Sequence, residues 1–347
     1  MKARLRLVAP ALVAALLSLL PAGLRAQDVR LALDQGQPAL ALFALTRTET
    51  RVSPLGKALL RLQGFLHDPD GPRLQPLSAG RALVPVLRRD SNVNGGIPSR
   101  RITIGGLPFR VAKDSQAKAG ILLGLRHAGW RNLSYGRAAR LRLSQVTTAE
   151  AEPTHGFHRL TASARICADR PLRDWTWAEG CLSALYDNDG VDAETGLMGQ
   201  AGLKRLFQSR VGYHEAQVSV VRSWHGSHRK DLLQLSTLSL TGAGLFGLDL
   251  AVGEPVEGQN TLRSLAALSW TGPVAGRTVT LGLSQARTDG ARIFGTPRND
   301  RITRISAETP VGKIDVGAFA ERRRSTIDAY DVADAGMTFA LRFDLLK

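Results

Sequence analysis

From about residue 81 to the C-terminus, apolar and polar side chains alternate in runs of roughly 9–13 residues. Gly, Pro, Asn and Asp separate the runs, and examples lie at residues 101–104, 141–144, 217–220 and 278–281. A period of two gives a strand one apolar face and one polar face. Because a strand needs about 9–11 residues to cross a bilayer, this pattern is typical of transmembrane strands.

No apolar run of about 18 residues, the length of a spanning helix, occurs in the chain. A chain that crosses a membrane without such helices must pair all its backbone polar groups in a closed barrel. We count about fourteen or fifteen runs, and single-chain bacterial barrels favour even numbers. The sequence therefore predicts an all-β transmembrane antiparallel β-barrel of about fourteen strands over residues 81–347, preceded by a short α-helical region. A periplasmic β-sandwich is the alternative.

The last run has the clearest alternation. One face carries only apolar side chains, namely Met337, Phe339, Leu341 and Phe343. The opposite face carries Thr338, Ala340 and Arg342. An apolar outer face with an aromatic residue near the C-terminus is typical of a closing barrel strand, so we expect the first four residues to face lipid.

Residues 1–26 have the pattern of a secretory signal peptide. Lys2, Arg4 and Arg6 form a basic start, an apolar run extends from Leu7 to Leu20, and a short cleavage region precedes Gln27. The apolar run is too short to span a bilayer as a stable helix, although an uncleaved anchor is the alternative. Together with the strand pattern, this leader predicts the outer membrane of a Gram-negative bacterium.

The chain is strongly basic, with a net charge of +16. Nucleic acid is the usual partner of so basic a chain, but export argues against it, so we expect no nucleic acid partner. The positive charge fits a polar lumen or loops that face lipopolysaccharide phosphates. A solvated basic surface is the alternative.

The two cysteines, Cys167 and Cys181, are separated by residues 168–180. Exported proteins reach compartments in which disulfides persist. If residues 168–180 form a loop between two strands, a disulfide could close it; two unpaired thiols are the alternative. No metal-binding spacing accompanies the pair.

Residues 27–80 differ from the rest of the chain. Val29, Leu31 and Leu33 recur at helical spacing, as do apolar residues after Pro38 and between Leu55 and Leu66. We therefore predict two or three short helices, one helix-turn-helix unit with a partner, followed by a polar linker over residues 67–80. Because a lone unit cannot bury its own apolar face, it should pack on the barrel mouth or on a client. We expect it to lie in the periplasm.

No arrangement of residues indicates an enzyme, a cofactor or a metal site. The Asp187-Asn188-Asp189-Gly190 segment resembles part of a calcium loop but lacks its distal glutamate, so a turn is the better interpretation. Ser223 and His225 flank Trp224, but no convergent third group accompanies them. We expect no catalytic activity.

Three local patterns occur in order: a turn after Pro85, a short motif that opens a late strand, and a basic segment before the terminal strand. Their positions are Asn92, Asn94, Gly95, Gly96, Arg298, Asp300, Arg324, Ser325 and Tyr330. In this order, the patterns resemble the surface lipoprotein assembly modifier family of outer-membrane proteins, over roughly residues 81–347. Members have an N-terminal tetratricopeptide-type domain, longer than the helical region here, and a fourteen-stranded barrel.

The resemblance implies a factor that translocates or assembles surface lipoproteins or related secreted clients. Its expected partners are outer-membrane lipid and lipopolysaccharide, a lipoprotein or secreted client, and the barrel assembly machinery. The alternative is a porin-like passive channel that prefers anions, with Arg142, Arg304 and Arg342 on inner positions. On the residues themselves, Asn92 to Gly96 should form a tight turn. Arg298 and Asp300 should face the same way, either paired in the lumen or solvated in a loop.

Overall fold

The computed structural model of the chain describes residues 26–344 except residues 50, 98, 105, 191–192, 227, 294, 313 and 342. The predicted signal peptide therefore lies outside the described residues, apart from Ala26. Side chains are described from Val29 onward in the first helix and up to Phe339 in the last long strand.

Three short helices precede the first strand: α1 (Ala26–Asp34), α2 (Pro38–Thr48) and α3 (Pro54–Leu62). Pro38 and Pro54 occupy the first turns of α2 and α3, where a missing N–H costs no hydrogen bond. Ser53 caps α3 by accepting a hydrogen bond from the Gly56 amide at 3.1 Å. Among the described helices, none is long and apolar enough to span a membrane.

Fourteen antiparallel strands form one closed ring. They are β1 (Gln75–Asp90), β4 (Gly120–Gly136), β5 (Ala139–Glu152), β6 (Phe157–Arg173), β7 (Thr176–Asn188), β8 (Ala193–Ser209), β9 (Gly212–His225), β10 (His228–Thr241), β11 (Gly244–Gly253), β12 (Thr261–Val274), β13 (Arg277–Ile293), β14 (Thr296–Val311), β15 (Ile314–Ser325) and β16 (Val332–Leu341). Each strand pairs with its neighbours in sequence, and β16 returns to β1 through Phe339 opposite Leu87. The short β17 (Phe343–Asp344) extends this seam.

The two rims of the barrel differ in the length of their connections. At the rim where β1 begins, which we call the turn end, two-residue turns join the strands at 137–138, 174–175, 210–211, 242–243 and 275–276. At the other rim, the loop end, residues 91–119 form a long connection that holds the hairpin of β2 (Arg101–Ile104) and β3 (Leu107–Arg110). Two connections at the loop end, between β9 and β10 and between β13 and β14, also have only two residues, but the others are longer. Short turns at one rim and mostly longer loops at the other are typical of outer-membrane barrels.

The outer face of the barrel is an apolar band. Exposed apolar side chains at alternate positions include Leu123, Leu125, Leu197, Leu203, Val218, Val220, Leu281, Leu283, Ile305, Met337 and Phe339. Intervening positions face the lumen and include charged groups such as Arg142 and Glu179. Exposed apolar residues in a continuous belt on strands of this length match a lipid-facing surface.

The prediction of a fourteen-stranded antiparallel barrel after a few helices is confirmed. Three details differ or fall outside the description. The barrel begins at Gln75 rather than at residue 81, since residues 75–80 already pair with β4. The sequence does not reveal this start because Ser78 and Gly80 interrupt the apolar pattern. The run at 101–104 forms β2 of the loop hairpin and not a barrel strand. The side chains of Leu341 and Phe343 lie outside the described residues.

The alternation of β10 fails near its turn end for a structural reason. Leu238 and Leu240 are apolar although they face the lumen, because both pack against the N-terminal helices. Leu240 is completely buried. An apolar residue on an inner position therefore marks where the lumen is filled by protein.

The neighbouring residues Val218 and Gln217 test the orientation of β9. Val218 lies mid-strand on the outer face and is 49% exposed, whereas Gln217 faces the lumen and donates a hydrogen bond to Glu179. Val218→Arg should cost about 2–4 kcal/mol because it places a charge in lipid, whereas Gln217→Arg should be tolerated. The measurement is the fraction of protein that migrates differently on gels with and without boiling. Normal assembly of Val218→Arg with failure of Gln217→Arg would show that the register is inverted.

Candidate functional site in the occupied lumen

Helices α1–α3, which we call the plug, pack against the lumen wall at the turn end. The plug contributes the fully buried Leu40, Leu42 and Phe43, and the wall contributes apolar residues from five consecutive strands: Trp177, Leu206, Tyr213, Leu240 and Leu245. Burying one side chain of this size stabilises a structure by about 1.5–3 kcal/mol. The plug and the barrel therefore share one hydrophobic core.

Aromatic rings hold α2 against the rim. The Phe43 ring lies 5.0 Å from the ring of Trp175 and 5.9 Å from that of Tyr213, centroid to centroid. Trp175 also contacts Phe65, at 5.4 Å, and Trp177, at 5.9 Å. Trp175 occupies a two-residue turn with a φ of 55°, a conformation that costs free energy for a bulky side chain. Packing on Phe43 and Phe65 offsets that cost.

Polar contacts join the segment after α3 to the rim. Arg140 donates a hydrogen bond to the side-chain oxygen of Gln63, and the Ala138 amide donates to the Gly64 carbonyl at 2.8 Å. The His67 ring nitrogen Nδ1 lies 2.6 Å from the Ser134 hydroxyl oxygen. These contacts fix where the chain leaves the plug and enters β1.

An ionic network on β5, β6 and β7 lines the lumen beside the plug. Asp169 has no exposed side-chain surface and pairs with Arg140 at 2.7 Å and with Arg142 at 2.9 Å. Arg142 also pairs with Glu179, whose other oxygen accepts a hydrogen bond from Gln217 at 2.9 Å. The barrel register produces this arrangement because Arg140 lies directly opposite Asp169.

A cavity of about 870 Å³ separates the plug from the rest of the lumen wall. Gln37, Pro38 and Leu62 line it from the plug side. Its wall carries four cationic side chains and two carboxylates: Arg140, Arg142, Arg165, Lys204, Glu179 and Glu215. The space is therefore polar, and positive groups outnumber negative groups on its surface.

A disulfide lies on the same wall. Cys167 and Cys181 are directly opposite each other on β6 and β7, and their sulfur atoms are 2.17 Å apart. Residues 168–180 are not a loop but two strand ends and a two-residue turn. Arg165 donates to both sulfur atoms and to Gln200. The bridge thus cross-links two strands of the cavity wall.

The first group of motif residues shapes the long loop. The Asn92 side chain donates to the Gly96 carbonyl at 2.8 Å, and the Asn94 side chain donates to the Gln116 carbonyl at 2.8 Å. Gly95 has a φ of 61°, and a Cβ on Gly96 would lie 2.6 Å from the Gln116 backbone. These residues join the outgoing and returning arms of the 91–119 loop.

The second group meets at the loop end of β14 and β15. Asp300 is 3% exposed and accepts hydrogen bonds from Arg298 at 2.6 Å and from Ser325 at 2.7 Å. The Arg298 guanidinium lies 3.5 Å from the centroid of the Tyr330 ring. Arg298 and Asp300 are therefore paired and only partly exposed. Arg324 points to the outer face and does not join the cluster.

The long loop packs against this cluster through a small apolar core. Ile102 and Val111 come from the loop, and Ile327 and Ala329 come from the connection between β15 and β16. Tyr330 packs against the same residues. The motif positions other than Arg324 thus organise the loop end, at the rim opposite the plug.

The sequence analysis predicted neither the ionic network on β5, β6 and β7 nor the barrel residues that pack against the plug. Asp169, Glu179 and Arg140 lie on strands with ordinary alternation, and no local pattern distinguishes a paired lumen charge from a solvated one. The packing of the plug does have a sequence signal, namely apolar residues on inner positions of the strands, such as Leu206 and Leu240. Among the described residues, no group of three or more His, Cys, Asp and Glu side chains is placed to hold a metal ion.

No protein-family model and no curated protein matches the chain. Solved structures do match. The chain is 11% identical to CdiB from Acinetobacter baumannii, with a TM-score of 0.43. The match covers 79% of this chain and 60% of CdiB. The chain is 9% identical to OprB from Pseudomonas putida, with a TM-score of 0.47. The match covers 76% of this chain and 94% of OprB.

A structure described as a bacterial polysaccharide outer membrane secretin is 11% identical, with a TM-score of 0.36 and coverage of 76% of this chain and 98% of that one. The chain thus spans less than two thirds of CdiB and nearly the whole of the other two. Identities this low and TM-scores below 0.5 carry no information about what passes through the barrel.

Asp169 provides a test of the ionic network. Asp169→Ala leaves Arg140 and Arg142 without their shared carboxylate in a largely buried site, so it should destabilise the barrel by about 3 kcal/mol or more. The measurement is the urea concentration at which the protein unfolds in lipid vesicles.

The matched control is Asp187→Ala on β7. Asp187 also faces the lumen and pairs with an arginine, Arg159, but the two side chains are 35% and 46% exposed. Its loss should cost less than about 1 kcal/mol. Equal destabilisation by the two variants would contradict a structural role for the buried network.

Proposed function

We propose that this protein is an outer-membrane barrel gated by its own N-terminal helices, and that it passes a surface lipoprotein or a related secreted client outward. The observation that carries the proposal is the plug, which shares a hydrophobic core with the turn end and is tied to it through Gln63 and Gly64. A lumen occupied by helices at one end suits a translocation factor, because such a barrel must open fully only when a client engages it.

The rims suggest the orientation. Short turns face the periplasm and longer loops face outward in outer-membrane barrels. On that basis the plug closes the periplasmic mouth, where an exported client would arrive first. The loop end, organised by Asp300 and the 91–119 loop, lies at the outer surface. The resemblance of these loop-end motifs to surface lipoprotein assembly modifiers supports a lipoprotein client.

Opening requires that a client replace the contacts of α2. Phe43, Leu40 and Leu42 are almost completely buried, so displacing them exposes apolar surface that a client segment would have to cover. A ligand shifts such an equilibrium only through its preference for the open state. We propose no catalytic step, and no cofactor, for this process.

A porin-like channel is the second candidate, and the charge of the cavity favours it. Arg140, Arg142, Arg165 and Lys204 outnumber the carboxylates on the cavity wall, and Arg304 also occupies an inner position. If small solutes leak around the plug, the channel should prefer anions.

Single-channel recording distinguishes the two candidates. A gated barrel predicts low, intermittent conductance for the wild type in planar bilayers. Phe43→Ala should raise the ratio of open to closed time by about a hundredfold or more, because truncating a buried Phe costs roughly 3–5 kcal/mol of packing between plug and wall. Leu250→Ala, on the outer face, is the control and should leave gating unchanged. Steady, large, anion-preferring conductance in the wild type would support the porin instead.

The client role has its own test. Removal of the gene should leave a client lipoprotein synthesised but protected from protease added to intact cells. Reintroducing the wild-type chain should restore exposure of the client. Undiminished cleavage in the deletion strain would exclude the translocation role while leaving the gated barrel in place.

A further inference from the structure

The outer face of β13, β14 and β15 carries an unusual row of positive charge near the loop end. Arg287 lies directly opposite Arg301, and Arg301 lies directly opposite Arg324. All three side chains point outward and are exposed. Arg322 projects from the same face of β15, two residues before Arg324. We call these four residues the arginine ladder.

The ladder has no anionic partner among the described residues. Its one side-chain hydrogen bond joins Arg301 to the neutral Gln285, at 3.4 Å. Like charges directly opposite each other on neighbouring strands destabilise a sheet, since their side chains approach within roughly 5 Å. Three arginines in one row therefore carry an electrostatic cost that an external anion would remove.

Other outward arginines of the barrel differ from the ladder. Arg222, near the same rim, is neutralised by Asp231 at 2.6 Å. At the turn end, Arg131 lies between Ala79 and Leu143, and Arg205 lies between Thr176 and Ala216. None of these lies directly opposite another arginine, so the ladder is a local concentration of unneutralised charge.

The position of the ladder relative to the apolar band indicates the depth of its ligand. Leu283, Ile305 and Ala320 form one row across the three strands, and the next row toward the loop end is Gln285, Thr303 and Arg322. The arginines follow one row further on. Successive rows are about 7 Å apart. The ladder thus lies just beyond the lipid-facing band, at the depth of lipid headgroups.

We propose that the arginine ladder binds the phosphate groups of a phosphorylated glycolipid of the outer leaflet, such as the lipid A part of lipopolysaccharide. Guanidinium groups match phosphate oxygens in bidentate geometry, and several of them can share one phosphate. A groove of about 390 Å³ between β14 and β15, lined by Arg301, Arg322, Arg324 and Ile305, would seat the headgroup beside its acyl chains. The proposal rests on the outward orientation of the loop end inferred above.

The test measures binding of purified, folded protein in detergent to lipid A and to dephosphorylated lipid A. The ladder variant is the double substitution Arg301→Gln and Arg324→Gln. The matched control is Arg131→Gln and Arg205→Gln, which removes the same charge from the outer face at the turn end. We expect wild type and control to bind lipid A alike, and the ladder variant to bind it at least about tenfold more weakly. Dephosphorylated lipid A should bind weakly to all three.

Each contrary result has a distinct meaning. Equal affinity of the ladder variant and wild type for lipid A overturns the proposal, and so does wild-type affinity for inorganic phosphate as high as for lipid A. Loss of binding in the control but not in the ladder variant also overturns it and places the outer leaflet at the turn end. Because the assay measures lipid binding and involves neither a client protein nor a conductance measurement, none of these results depends on the gating proposal.

Discussion

The closure of β16 onto β1 is the contact on which the rest of the structure depends. Lipid offers no partner for free backbone N–H and C=O groups, so a sheet in the membrane is stable only when it has no edge. Phe339 opposite Leu87, extended by Phe343 opposite Leu83, pairs the last edge with the first. The closed ring creates a lumen, and helices α1–α3 occupy part of that lumen at the turn end.

The inner wall shows how one surface serves two purposes. Toward the turn end it is apolar where α2 packs on it, at Tyr213 and Leu240, and ionic where Asp169 joins two arginines. The apolar part supplies most of the attraction for the plug, while the charged part gives the remaining cavity a polar wall. A client that opened the lumen would therefore meet an apolar ring first and a polar chamber beyond it.

Much of the fold could be predicted because a lipid-facing strand enforces a period of two over its whole length. Met337 and Phe339 are outward for that reason, and strand number follows from counting such runs. The start of the first strand and the loop hairpin could not be predicted in this way. Residues 75–80 alternate only weakly although they belong to β1, and residues 101–104 alternate although they belong to a loop. Contacts between distant residues, such as Arg140 with Gln63 or Asn260 with Asp300, could not be predicted, because register around a ring has no local sequence signal.

The connection between the plug and the barrel has a mechanical consequence. Residues 63–74 join α3 to β1, and a chain of that length spans at most roughly 40 Å when fully extended. A displaced plug is therefore tethered beside the mouth that it left. Its return is intramolecular, at an effective concentration in the millimolar range typical of short linkers. Such a tether makes the return of a displaced plug fast and independent of protein concentration, so no second component would be needed to restore it.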